Sequence, residues 1–351
     1  MTWRRRREIR EEFSFLGPRG GVAPVRTHIR KTLHLPQSIC NGVIYCNKKD
    51  GGLGFTKLQE LIPRMSLDAG LKFSESKDPV IRALFGSSKT AERLRKLANG
   101  VRINYPYTKD DTKKYKEKCR QIELKRWRDL LAQGRAVDSF TNDGIGNSFL
   151  RDPKLLKPCR FTTALQLRTN TAGNKTSLNR AIPQRDLTYI LGQCLHTKSA
   201  RIRRHNEIRD YIENTVSSKD KTATLTKEPL IALANGDKLQ PDLVIQNQKG
   251  VFVVDVTVRH EDGAYLAKAK QEKEEKYQPI MPWIKQQFEA ASGETIAIVV
   301  GTRGAMPKNT IKALATIGIK QANELKTISL IALRSSIEMY HAFVDYDGPL
   351  L

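Results

Sequence analysis

The chain has 351 residues, 61 of them Lys or Arg against 37 Asp or Glu, giving a formal net charge of +24. Charge of that size exceeds what solubility requires and points to a polyanionic partner, bound in a steeply salt-dependent way. Hydrophobic residues make up 39% of the chain, enough for a core in two or three domains, and no apolar run reaches the roughly 18 residues that a membrane span needs.

The first ten residues hold five Arg with no apolar core behind them, so no secretory signal is expected. Arg4 to Arg7 reads as an arm for nucleic acid, a nuclear import signal or a flexible beginning. Up to about residue 105, loops marked by Gly17-Pro18, Gly20-Gly21 and Gly51-Gly52 separate helical stretches such as Leu58 to Leu71. The five cysteines, Cys40, Cys46, Cys119, Cys159 and Cys194, form no regular framework, which predicts reduced thiols inside a cell.

A basic, helix-rich region follows from Lys109 to about Arg160, punctuated at its end by Asp143-Gly144-Ile145-Gly146-Asn147, Pro153 and Pro158. Within it, Lys113 to Arg128 carries eight Lys or Arg against two Glu, with Tyr115 and Trp127 interleaved. The pattern predicts an amphipathic helix laid along a phosphate backbone, with Lys113, Lys114, Arg126 and Arg128 as candidate contacts. A solvated helix packing Ile122, Leu124 and Trp127 is a compatible alternative. Polymerase chemistry needs paired aspartates on a hairpin to hold two magnesium ions. The adjacent pair Asp110-Asp111 lies instead in a Lys/Thr-rich loop, so no polymerase active site is expected.

From about Ser199 a helix is predicted with Ile202, Ile208, Tyr211, Ile212 and Val216 on its apolar side. Next come a short apolar run Leu243-Val244-Ile245, a turn over Gln246 to Gly250, and a nearly continuous Val/Phe run from Val251 to Val258. Ala264 to Tyr277 has helical composition, and helix 283–291, strand 295–300, helix 308–317 and a closing helix from Ile328 to Val344 complete the order. Such an order around a central strand predicts an α/β core.

Two acids stand out in that core. Asp242, after Pro241, opens the first strand, and Asp255 interrupts the second. A charge inside such an apolar run is costly unless a cation compensates it. Phosphodiester hydrolysis needs charge neutralisation and a hydroxide at neutral pH, which magnesium supplies when carboxylates hold it with open positions. The alternative is a structural pair with Arg259 or a nearby Lys. Thr257 occupies the position two after Asp255 where a lysine often stands in such nucleases. Lys273, Lys276 and Tyr277, at i, i+3 and i+4, instead share one face of the following helix. A lysine there can activate water or steady the phosphate, and Tyr277 can position either.

Ala164 to Thr171, Ala200 to Asn206, Lys238 to Val244, Val254 to Val258 and Glu272 to Tyr277 follow one another in an order that resembles a known family. It is the carboxy-terminal part of the polyprotein of site-specific non-LTR (type-1) retrotransposable elements that insert into ribosomal RNA genes. Thr32 to Pro36, Asn41 to Tyr45 and Asp50 to Gly54 are similar to the segments just past the reverse transcriptase core of those proteins. The resemblance implies a restriction-endonuclease-like PD-(D/E)xK core. In it Asp242 and Asp255 match the metal-binding acids, and Lys273 and Tyr277 the displaced basic and aromatic positions. It further implies three segments: residues 1–105 as the end of the polymerase thumb and its connector, 106–198 as a helical basic linker, and 199–351 as the nuclease. Target DNA and element RNA would be the partners, magnesium the cofactor and the nucleus the site of action.

The family carries a small Cys/His zinc knuckle between linker and nuclease, and the sequence departs from it there. Cys194 remains, Tyr189 stands where a histidine is expected, and Asn174 to Thr188 contains no Cys. A substitute set of Cys159, Cys194, His196 and His205 has no familiar ligand spacing, so zinc is not expected. Arg203, Arg204, His205 and Asn206 suit phosphate contacts beside the metal, and Lys276 extends that basic surface. Glu207 or Glu213 would be a further metal ligand on the same helix. Gly301-Thr302-Arg303-Gly304 reads either as a phosphate-binding turn or as a plain strand-to-helix turn. The resulting expectation is a magnesium-dependent DNA endonuclease that nicks target DNA to prime reverse transcription. The alternatives are an inactive nucleic-acid-binding remnant and a linker whose acids form only ion pairs.

Overall fold

The computed structural model describes residues 22–173, 187–232, 236 and 238–345, so Arg4 to Arg7, Gly17-Pro18, Gly20-Gly21 and nearly all of Asn174 to Thr188 lie outside the described residues. The chain forms two compact units, one of Met1–Asn47 with Gly52–Asp129, the other of Lys48–Gly51 with Leu130–Leu351. The segment expected as a linker, 106–198, is therefore shared between them.

The first unit is helical: α1 is Val22–Thr32, α2 Leu58–Ser74, α3 Pro79–Gly86, α4 Lys89–Gly100 and α5 Lys109–Arg128. Each of α3, α4 and α5 starts at a side-chain cap, from Asp78, Ser88 and Thr108. In α5 this is a full capping box, with Asp111 reaching back to Thr108, and Asp110 pairs with Lys114 at 2.8 Å. The two aspartates thus serve the helix end. Leu67 and Leu71 of α2 pack with Leu94, Ala98, Ile103 and Tyr107, and the Tyr107 hydroxyl donates to the Leu67 carbonyl at 3.2 Å.

The second unit is a helix–sheet–helix sandwich, which makes the chain mixed α/β. Its four-stranded sheet has the order β1 (Thr224–Lys227), β4 (Leu243–Asn247), β5 (Gly250–Arg259), β6 (Gly293–Gly301), and a separate small pair joins β2 (Ile231–Ala232) to β3 (Lys238–Leu239). β1, β4 and β5 are antiparallel, while β6 runs parallel to β5 after a crossover through α8 (Tyr265–Tyr277). The remaining long helices are α6 (Pro158–Arg168), α7 (Lys198–Lys219), α9 (Met281–Gln287), α10 (Lys308–Thr316) and α11 (Ala322–Asp345). Helix 283–291 of the sequence reading begins two residues earlier and stops at Gln287, and β1 was not anticipated at all.

Alternation along β5 separates its faces. Phe252, Val254 and Val256 join Ile208, Ile212 and Val216 of α7 and Ile328 of α11 in one core. Val251 and Val253 point the other way, toward Tyr277, Ile280, Met281 and Ile284. Ala297 and Val299 of β6 meet Leu266 and Ala269 of α8 on that second face. Ile202, expected on the apolar side of α7, is exposed.

Candidate active site

Asp255 follows Val253 by two residues, so strand alternation places it on the face that α8 covers. The β4–β5 ladder ends at the pair Leu243–Val254, and Asp242, in the bend just before β4, reaches the backbone of Val256, the residue after Asp255. Both acids are buried. A two-residue turn, Gln248-Lys249, thus brings together acids 13 residues apart in the chain.

Each carboxylate has a distinct set of neighbours. Asp242 Oδ2 accepts from the Val256 amide at 2.6 Å and lies 3.0 Å from His205 Nε2. The same nitrogen is 3.0 Å from the Val256 carbonyl. Two acceptors flank Nε2, so it carries a proton. Donation to Asp242 pushes the His205 pKa up against the opposing pull of burial, with the charge of Asp255 adding to the rise. Asp255 Oδ2 has Lys273 Nζ at 2.9 Å, yet it is buried without a hydrogen bond of proper direction. Lys273 reaches this point from α8, in place of the lysine that Thr257 displaces.

Tyr277 lies one turn beyond Lys273 and is buried. Its hydroxyl donates to the Gln240 carbonyl at 3.0 Å and receives Lys276 Nζ at 3.1 Å. Burial, then the negative charge of Asp255, raises its pKa far above the ordinary phenol value, so it stays protonated and acts as a donor.

The other expected residues divide. Arg203 is exposed on α7, with Glu207 at 3.9 Å, and is open to an anion. Arg204 requires a correction, because it points inward, 3% exposed, donating to Ser336 Oγ at 2.9 Å and to the Leu191 carbonyl at 3.2 Å. Burial pulls its pKa down to about 10, and it is a structural anchor between α7 and α11. His205 faces Asp242 rather than solvent phosphate. Glu207 accepts from Ser335 at 3.4 Å, and Glu213 pairs with Lys227 at 3.5 Å. In the first unit, Lys114 and Arg126 are held by Asp110 and Glu123 at 2.8 and 2.7 Å, and Lys113 is exposed. Arg128, also on α5, has a partner of its own.

The turn over Gly301 to Gly304 is not a phosphate loop. The Arg303 amide donates to Glu261 Oε1 at 2.7 Å, the Gly301 amide to the Ala305 carbonyl at 2.9 Å, and the Arg303 and Glu261 side chains form an ion pair with no exposed surface. Arg303 also reaches Asn170 Oδ1 at 3.1 Å, while Arg168 stacks on Phe140 at 3.7 Å. The Arg303 bonds tie Glu261 and Asn170 to the end of β6 and were missed in the sequence, because partners 42 or more residues apart leave no periodic trace.

A divalent cation fits the acid pair. The buried, undirected Oδ2 of Asp255, with the Asp242 carboxylate held at the neighbouring Val256 amide, is an all-oxygen donor set suited to a hard ion. Among the described residues no group of three or more His, Cys, Asp or Glu converges on one point. Protein ligands would therefore number two, as is usual where water and phosphate oxygens complete a magnesium shell. The substitute zinc set is not gathered: Cys159 is exposed, Cys194 is buried, and His205 is engaged by Asp242.

No protein-family model matches the chain. It is 27% identical over 317 residues to a retrovirus-related Pol polyprotein from type-1 retrotransposable element R2 of Popillia japonica, covering 83% of the chain and 41% of the relative. Two further proteins of that description and organism match at 23% over 311 residues and 26% over 348 residues, with 85% and 93% of the chain covered and 62% and 73% of those relatives. The chain thus spans about two fifths of the length of the first relative. Over most of its own length it resembles the Pol polyproteins of type-1 non-LTR retrotransposable elements, as its ordered motifs imply.

Proposed function

We propose that the second unit is a magnesium-dependent DNA endonuclease with a restriction-like PD-(D/E)xK core, nicking target DNA in the nucleus so that the freed 3′ hydroxyl primes reverse transcription of element RNA. The observation that carries this reading is the bond from the Val256 amide to Asp242, which brings that acid to the residue beside Asp255, with Lys273 next to an otherwise unbonded oxygen of Asp255. Asp242 and Asp255 would hold the ion. When bound, magnesium supplies charge neutralisation and acidifies water. His205 and the Val256 amide fix the Asp242 carboxylate in place. Lys273 offers a positive charge to a phosphate drawn up to the acids, or holds the attacking water. Tyr277, kept protonated, orients Lys276 and the Gln240 backbone beside them. Exposed Arg203 and Lys276 meet the DNA backbone. The ribosomal RNA gene as target comes from the family resemblance.

Supercoiled plasmid with magnesium tests the proposal. Wild type is expected to nick it, while Asp255→Ala loses activity and Lys273→Ala falls by at least about a hundredfold, the scale of removing a group that stabilises transition-state charge. Nicking that persists in Asp255→Ala overturns the mechanism, and absence of nicking by the wild type favours a binding module without activity.

A further inference from the structure

A groove in the first unit lies between α2 and α5, with a volume of about 390 Å³. From α5 it is lined by Lys109, Lys113 and Lys116, which fall at i, i+4 and i+7 on one helical face, and from α2 by Arg64 and Lys72. The same walls carry only Asp68 and Glu75 as acids, leaving a surplus of three positive charges. Among the described residues none of these five cations has an ion-pair partner, whereas Lys114, on another face of α5, is paired with Asp110. No aromatic side chain lines the groove, and the capping box already occupies the start of α5.

We infer that this groove seats the phosphodiester backbone of a single nucleic-acid strand. Five cations face two acids there, an imbalance that an entering polyanion would relieve. A groove of about 390 Å³ between two helices has room for a short run of one backbone. Without an aromatic platform there is no base stacking, so the site reads charge and is indifferent to sequence. The inference goes beyond the cleavage reading, since it needs neither acid of the second unit.

Binding of labelled oligo-dT and oligo-rU to the full chain, measured by fluorescence anisotropy without magnesium across a salt series, tests it independently of cleavage. Replacing Lys72, Lys113 and Lys116 together by Gln is expected to weaken both oligonucleotides at least tenfold. It should also lower the slope of log affinity against log salt by about 2, from about 0.7 per contact on a single strand. The corresponding Lys→Arg triple should keep the wild-type slope. A control removing equal charge from the second unit, Lys268→Gln, Lys312→Gln and Lys320→Gln, should leave it nearly unchanged. Equal losses in the groove and control triples would show bulk charge at work and overturn the site. So would a loss confined to duplex DNA.

Discussion

His205 carries more weight than a surface histidine, because one protonated nitrogen bridges the acid just before β4 and the backbone of β5. Partners that orient a ligand typically change affinity or activity by 10- to 100-fold. His205→Ala is thus expected to cut plasmid nicking by about that factor, with His205→Gln, which keeps a donor, recovering part of it; full activity in His205→Ala would remove it from the site. Glu261 is the other residue whose charge matters. Burial alone would raise its pKa, but the Arg303 guanidinium, with His260 and hydrogen bonds from Arg303, outweighs burial and holds it below the ordinary value. A depressed folded pKa means stability that is present above the unfolded pKa of Glu and lost as pH falls through the folded one. Denaturant unfolding should accordingly show an acid limb beginning below about pH 4.5. Glu261→Gln should flatten it and cost about 3–5 kcal/mol at neutral pH, since Arg303 is left buried and uncompensated. An unchanged acid limb in that variant would refute the assignment.

The proposed cleavage centre is assembled from a hairpin and a helix. α8 seats on β6 through Leu266 and Ala269 against Ala297 and Val299, one turn before Lys273. Ala269→Leu overfills that contact, at a cost of about 1–3 kcal/mol, and should reduce nicking while binding of DNA persists; retained nicking would mean that Lys273 does not depend on this seat. Much of this was legible in the sequence. A Val/Phe run with one Asp fixes which face that Asp takes, and i, i+3, i+4 spacing groups Lys273 with Lys276 and Tyr277. Other features were hidden for physical reasons. Arg203 and Arg204 look alike in sequence, yet helical rotation sends one outward and the other into the core. β1, Thr224–Lys227, is short and mostly polar, and only its pairing with β4 makes it a strand.

At the scale of the whole chain, a net charge of +24 predicts that association with nucleic acid is governed by counterion release. If six or more phosphates are contacted, affinity for plasmid should fall by at least about 10³ between about 50 and 200 mM salt, and a flat response would argue against a mainly electrostatic hold. No helix among the described residues is long and apolar enough to cross a membrane. One arrangement in the second unit has a bearing on when the molecule can act. The two acids belong to a local hairpin, but the ammonium beside them arrives on α8, which packs on β5 through Tyr277 and on β6, a strand that comes later in the chain, through Leu266 and Ala269. An unfinished chain, or one whose last layer has come loose, would hold both acids and lack the charge that completes the centre. If the centre cuts DNA as proposed, cutting competence would then be a readout of complete folding.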